Sequence, residues 1–387
     1  MKNNLRNKAV FRLPIWLTLV LLTGLLLSGC LPGSGTPATR GWSGAAVVDG
    51  QLYLGTMTGR VVSLNVTDEK LLWSVSLQPQ ATASKGFGCS SSTPAISIYG
   101  TPAVDGELVY VAGYNGKIYT ISAVNQLSRD KYLTANNATL PKPIIGSPIV
   151  AGGKVFVASS DGIVYALDTV SLDERWRFAT GDKMWSTPVV EGETLYITSF
   201  DKKIYALNAG NGAKKWEFKT DGAVVSSPVV SGGTVYFGSL DRYMYALNAA
   251  DGSQKWKFQG GNWFWANPLL VDGTIYAANL DGKVYALNAD TGQKKGEIDL
   301  KKPEEKKDFG ISSSPVIVDK LVIVATESGK VFSIDTNNNQ QKQLVTLGEQ
   351  VFAPLSVSGN KVFIHTQKDN LYEVDATSGS QRRLNIQ

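Results

Sequence analysis

Three observations predict an all-β protein, an eight-bladed β-propeller built from four-stranded repeats. One segment recurs eight times between residues 41 and 387, a span of 347 residues that allots about 43 to each copy, the length of a four-stranded blade. Each copy strings short runs of β-branched and aromatic residues between Gly-, Asp- and Asn-bearing turns. Outside the N-terminus no stretch carries a helical period. A lone four-stranded sheet cannot bury both faces, whereas radial stacking covers them and leaves only short edges. Seven blades are the alternative count, because copies one, two and eight follow the pattern most loosely.

Residues 1–29 read as a lipoprotein signal peptide. Lys2, Arg6, Lys8 and Arg12 form a basic start without an acid, and Ile15 to Leu27 is a 13-residue, mostly apolar run, short for a transmembrane span. The run ends in Leu27-Ser28-Gly29-Cys30, which resembles a bacterial lipobox. That resemblance implies cleavage before Cys30, a diacylglyceryl group on its thiol and acylation of its amine. At roughly 0.8 kcal/mol per buried methylene, two or more chains make a stable membrane anchor. An uncleaved signal anchor is the other reading. Residues 30–40, with Pro32-Gly33-Ser34-Gly35-Thr36-Pro37, read as a flexible tether, and 41–387 as the propeller domain. Leu31 stands where the inner-membrane retention signal of enteric bacteria has Asp. The expected address is extracytoplasmic: the periplasmic face of the outer membrane in a two-membraned cell, the cell surface otherwise. Loss of 1–29 removes four basic residues and leaves 34 basic against 33 acidic, so the +5 of the whole chain is no nucleic-acid footprint.

The repeat can be counted position by position. The first large apolar residue of the second strand is Tyr53, Tyr110, Phe156, Tyr196, Tyr236, Tyr276, Ile323 or Phe363. Nine residues later, in all eight copies, stands Val62, Tyr119, Tyr165, Tyr205, Tyr245, Tyr285, Phe332 or Tyr372. Eight residues before the first set come Pro102, Pro148, Pro188, Pro228, Pro268 and Pro315, with Ala45 in the first copy and Pro354 one residue further back in the last. Eleven residues after the second set come Trp73, Trp176, Trp216 and Trp256, with Asp130, Gly296, Gln343 and Arg383 in the other copies. In the fifth copy the expected strands begin at Pro228-Val229-Val230, then run from Thr234 to Gly238, Met244 to Leu247 and Gln254 to Phe258. Their turns fall at Gly232-Gly233, Leu240-Asp241-Arg242 and Asp251-Gly252. The last copy has its own fourth strand, Gln381 to Ile386, so the ring is expected to close by packing alone.

Tyr245-Ala246-Leu247-Asn248-Ala249, followed by Asp251-Gly252 and Trp256, resembles the repeat of the pyrroloquinoline-quinone (PQQ) enzyme-like propellers. It recurs from Tyr205 to Trp216 and more loosely from Tyr165 to Trp176. The resemblance implies that Trp73, Trp176, Trp216 and Trp256 dock between adjacent blades. It speaks to fold more than to function, since the fold hosts both quinoprotein enzymes and binding scaffolds. With the lipobox, the length and the blade count, the chain resembles the BamB family of outer-membrane assembly scaffolds. That implies a non-enzymatic, monomeric lipoprotein that supports assembly of envelope or outer-membrane proteins through protein contacts, with a β-barrel assembly complex as candidate partner. No loop matches the family's partner-contact motif. BamB-like chains also close the ring with an N-terminal strand, which this chain departs from.

The residue inventory argues against catalysis. His365, the only histidine, lies in a repeat strand, which leaves no Ser–His–Asp or Cys–His site without it. No His or Cys cluster has zinc spacing, and no glycine loop leads from a strand into a helix to cradle phosphate. Asp161, Asp201, Asp241 and Asp281 look like a carboxylate ring, but turn chemistry accounts for them. A PQQ-dependent dehydrogenase is the enzyme alternative. That cofactor carries three carboxylates and wants cations, a Ca2+-like ion and a catalytic Asp, and the family's alcohol dehydrogenases add an adjacent-cysteine disulfide. The chain has no such Cys pair; Trp185 or Trp265 as a stacking plane and Lys183 as a cation are what it offers. No cofactor and no metal are expected. Cys89, in an insertion before copy two, has no disulfide partner once Cys30 is acylated and reads as a buried or idle thiol. Lys301 to Asp308 reads as a solvated charged loop.

Recognition remains. With four tryptophans docking and Trp16 in the signal peptide, Trp42, Trp185, Trp263 and Trp265 are left. Trp185 and Trp265 each precede a blade-opening proline by three residues. Two readings stay open. The rings of Trp185, Trp263, Phe264 and Trp265 plug the channel or pack between blades, or they form an exposed anchor for a partner. A cell-surface propeller that binds a ligand or polysaccharide is the alternative function.

Overall fold

Turn residues cut the chain where the repeat places them. The structure, a computed structural model, describes residues 43–77, 96–124, 126–132, 142–301 and 310–386. Eight sheets result, each of four consecutive antiparallel strands in simple order. The count is eight blades, not seven: 45–76, 103–132, 149–179, 189–219, 229–259, 269–299, 316–346 and 356–384. There is no helix among the described residues.

Blade 5 shows why these residues make strands. Its strands are Val229–Ser231, Thr234–Gly238, Tyr243–Asn248 and Gln254–Gln259. The second and third are covered on both faces by neighbouring blades, so they read as near-continuous apolar runs. The outer strand is covered on one face only and alternates, with Trp256 buried and Lys255 and Lys257 in water. In blades 3 to 6 that outer strand also carries a bulge, whose extra residue is Arg175, Lys215, Lys255 or Lys295. A kink and a charge together keep a foreign strand from adding to the edge.

The core is divided into eight apolar clusters, one at each junction between blades. The tryptophans dock as the family resemblance implies. Register aligns Tyr236, Ala246 and Trp256 in one row across the blade. The small Ala246 lets the indole approach the Tyr236 ring at 5.9 Å, and Tyr196–Trp216 (5.8 Å) and Phe156–Trp176 (5.7 Å) repeat the pair. Each indole then donates its N–H to the next blade: Trp176 to Ala209 O (3.1 Å), Trp216 to Ala249 O (2.9 Å), Trp256 to Ala289 O (2.8 Å). Its ring lies against a turn glycine, Gly212, Gly252 or Gly292, with φ of 70–76°. A Cβ on any of these three would sit 2.6–2.7 Å from the ring, so glycine is required for space as well as for φ. Blade 6 has Gly296 in place of the tryptophan. There Asn339 replaces the glycine of blade 7, and its side chain occupies the vacated space.

Among the described residues no strand crosses the seam between blades 8 and 1. The last strand is Gln381–Leu384, shorter than expected, but it pairs only within its own blade. Packing closes the ring, as expected, through Leu52, Leu54, Phe363, Leu371, Leu384 and Ile386. Hydrogen bonds add to it, which packing alone did not anticipate. His365, 2% exposed, places Nδ1 2.8 Å from Ser43 O and Nε2 2.9 Å from Asp369 Oδ1, and Met57 N donates to the same carboxylate oxygen at 3.0 Å. Ser356 Oγ donates to Ala45 O, and Glu69 of blade 1 meets Lys361 and Arg382 of blade 8. The single histidine is thus a fastener of the ring.

Two outcomes follow from this packing. Trp216→Ala is expected to lower the unfolding free energy by about 3–5 kcal/mol, read by urea titration, because it empties a junction and leaves Ala249 O with the Tyr196 hydroxyl alone as donor. His365→Ala is expected to cost about 1–3 kcal/mol for the Ser43 carbonyl left without its donor. Hydrogen exchange should speed up in the first strand of blade 1 and the second of blade 8 while blade 5 stays protected; uniform speeding would contradict the seam assignment.

Candidate binding face: the channel mouth and the aromatic loop

The loops that carry the chain from one outer strand to the next inner strand follow one five-step pattern. At the first step a carbonyl accepts from the tip of the following blade's middle turn: Phe200 N to Lys183 O (3.0 Å), Leu240 N to Ala223 O (2.9 Å), Leu280 N to Trp263 O (3.0 Å), Glu327 N to Gly310 O (2.8 Å). The second step is a buried apolar wedge: Ile98, Ile144, Met184, Val224, Phe264, Ile311, Val351. The third lines a cavity touched by seven blades, hence the axial channel: Tyr99, Ile145, Trp185, Val225, Trp265, Ser312, Phe352. The fourth is small, and the hydroxyls of Ser186, Ser226 and Ser313 donate to the ends of second strands. The fifth is the residue before the proline.

That last position builds a belt. Thr101 N donates to Ser147 Oγ (2.9 Å), Ser147 N to Thr187 Oγ1 (3.1 Å), Thr187 N to Ser227 Oγ (2.8 Å), Ser227 N to Asn267 Oδ1 (2.7 Å) and Asn267 N to Ser314 Oγ (3.2 Å). Each blade hands its backbone N–H to the next blade's side chain, so the inner strands stay in register around the channel. The chain of bonds stops at Pro354 and Gly44, on either side of the seam. Sequence reading counted the prolines and missed the belt, although a hydroxyl or amide precedes the proline in six copies.

The five-step pattern separates the four candidate residues. Trp263 is 45% exposed, the one aromatic ring among the exposed large hydrophobic residues described. Phe264 is 1% exposed and wedges between blades 5 and 6 beside Tyr285 (5.9 Å), so its reading as a partner anchor is corrected. A residue two steps along the loop points inward wherever the loop repeats, and Phe264 obeys that geometry. Trp185 and Trp265 meet each other at 6.1 Å across the channel mouth, which is the plug reading. Lys183 Nζ lies 5.1 Å from the Trp185 ring and 4.7 Å from Phe200, so its charge is spent on the two rings.

The carboxylates stand where turn chemistry placed them. Asp161, Asp201 and Asp241 accept the N–H two residues on and the Tyr165, Tyr205 or Tyr245 hydroxyl, and burial followed by these carboxylates pushes the three phenols well up. Asp281 differs. The Tyr285 hydroxyl accepts from Gly261 N (3.1 Å) instead, and desolvation raises the Asp281 carboxyl. Among the described residues no group of His, Cys, Asp and Glu could hold a metal ion. The described channel residues do not fit PQQ either, because no charged side chain among them lines the cavity to face its carboxylates. Cys30, Cys89, Trp42, the segments 1–29 and 30–40, and the charged loop from Lys302 onward lie outside the described residues. Within them no helix is long and apolar enough to cross a membrane.

The two neighbouring rings of the aromatic loop should behave oppositely. Phe264→Ala is expected to cost about 3–5 kcal/mol of stability, whereas Trp263→Ala is expected to stay within about 0.5 kcal/mol. Thermal melts of both variants check this, and a large loss for Trp263→Ala would mean that its ring is structural.

The fold has close counterparts. The profile of the family described as outer membrane protein assembly factor BamB matches residues 31–132, 136–187 and 173–384. The crystal structure of BamB from Moraxella catarrhalis superposes with a TM-score of 0.69 at 17% identity, over 86% of this chain and 95% of that one. The computationally designed Ika8 protein superposes equally well, with a TM-score of 0.69 at 11% identity over 87% and 97%. No curated protein sequence matches significantly. Eight PQQ-type repeats, the tryptophan docks and a match across most of the chain together place it: the chain belongs to the family of outer membrane protein assembly factor BamB.

Proposed function

We propose that this protein is a non-enzymatic, lipid-anchored scaffold of a bacterial envelope, and that it aids assembly of outer-membrane proteins by docking a protein partner on the face that carries Trp263. The observation that carries the reading is the exposed indole itself. It stands on a loop whose backbone is tied to the Leu280 turn and whose next residue is locked in the core, so the loop that presents the ring needs no ordering on binding. Family membership supports a protein-binding role. The channel's uncharged lining and the structural use of His365 support the absence of catalysis. Leu27-Ser28-Gly29-Cys30 supports the anchor.

Crosslinking in intact envelopes, followed by capture of the protein, tests the docking. A β-barrel assembly protein should be recovered, and Trp263→Ala should lower its recovery about tenfold, the size of a typical aromatic hot spot. Failure to recover any assembly component from a two-membraned source overturns the proposal. Mass spectrometry of the mature N-terminus reads the anchor separately: Cys30 should carry acyl chains, and Cys30→Ser should release the protein from the membrane fraction.

A further inference from the structure

The belt hydroxyls have a second capacity that the blades do not use. Ser147, Thr187, Ser227 and Ser314 each spend an oxygen lone pair on a neighbouring backbone N–H. Their own O–H protons have no acceptor among the described residues. Asn267 likewise spends Oδ1 on Ser227 N and keeps its Nδ2 protons. Two residues before Ser314, Ser312 Oγ is buried without a partner. These groups all line the same cavity, so one level of the channel presents a crescent of neutral donors. Beside them the rings of Trp185 and Trp265 line the same cavity.

We propose that the channel mouth is a binding site for an uncharged saccharide, taken end-on. Among the described residues the lining holds no charged side chain, so an ionic ligand would be desolvated there without compensation. Donors in excess favour a ligand rich in oxygen acceptors. Indole faces favour one that also presents flat C–H surface, and a sugar ring combines the two. The open volume is about 90 Å³, the space of about three water molecules. That admits the edge of one ring rather than the middle of a chain, which sets the end-on mode. Binding displaces water from the donors and gives back the same number of hydrogen bonds while the apolar ring face is buried on tryptophan. The site is independent of partner docking through Trp263 and is read on the purified protein without a partner.

The test uses the full-length lipidated protein in detergent, with the neutral trimers of glucose and of N-acetylglucosamine as probes. Tryptophan fluorescence and calorimetry should show saturable binding of at least one trimer at or below about 10 mM. Asn267→Asp keeps the belt acceptor for Ser227 N, removes the amide donor and brings a charge into the ring. It should weaken binding at least tenfold while the far-UV circular dichroism of the folded protein stays that of the parent, whatever the carboxylate costs in melting temperature. Trp185→Phe should weaken it less, because a stacking face remains. The proposal is overturned if neither trimer saturates, which would leave the channel to water, if Asn267→Asp binds like the parent, or if a glucuronate trimer binds as well as the neutral ones.

Discussion

Every blade of this ring depends on being covered by the next, and the contact that enforces it is an indole laid on a glycine. Trp176, Trp216 and Trp256 each span a junction, cover Gly212, Gly252 or Gly292, and hand a hydrogen bond to the next blade's backbone. A four-stranded sheet with apolar middle strands has no stable existence alone, so the junction, not the blade, is the unit of stability. The conserved spacing of Tyr, Ala and Trp within a blade follows from this. The tyrosine supports the indole, and the alanine between them leaves room.

Junctions that lack the tryptophan show what the constraint permits. At Gly296 the space is taken by Asn339 from the facing turn, so residue loss on one blade is matched by residue gain on the next. At the seam the chain is not continuous, and the usual belt is interrupted. There the protein substitutes polar fasteners: His365 to Ser43, Asp369 to Met57, Ser356 to Ala45, and the charges around Glu69. Among the described residues ring closure therefore rests on an apolar cluster plus bonds that join blade 8 to blade 1.

The same loops that close the junctions build the binding face. Their five steps alternate between core and channel, and this is why four neighbouring aromatic candidates divide into an exposed ring, a core wedge and a pair at the channel mouth. The pre-proline belt joins the inner strands of six blades and at the same time rims the channel with donors. Each belt hydroxyl accepts a backbone N–H and keeps a proton that it can donate, since a hydroxyl can accept and donate at once.

Much of this was legible in the residues themselves. Blade number, strand order and turn positions follow from a repeat whose offsets can be counted, because strand and turn preferences are local and eight copies average out their errors. The inter-blade role of Trp176, Trp216 and Trp256 came through family resemblance, and the structural role of His365 through the repeat strand that holds it. Other features needed the fold. Phe264 looks like its neighbours Trp263 and Trp265 in a string of letters, but loop geometry buries it. The belt was visible as a polar residue before six of the blade-opening prolines, yet its meaning depends on a partner 40 residues or more away. Sequence alone therefore determined the architecture, since pattern and propensity act over a few residues. Tertiary structure decided which rings are free, which hydroxyls keep a proton to donate and how the ring is fastened, because those properties belong to contacts between blades.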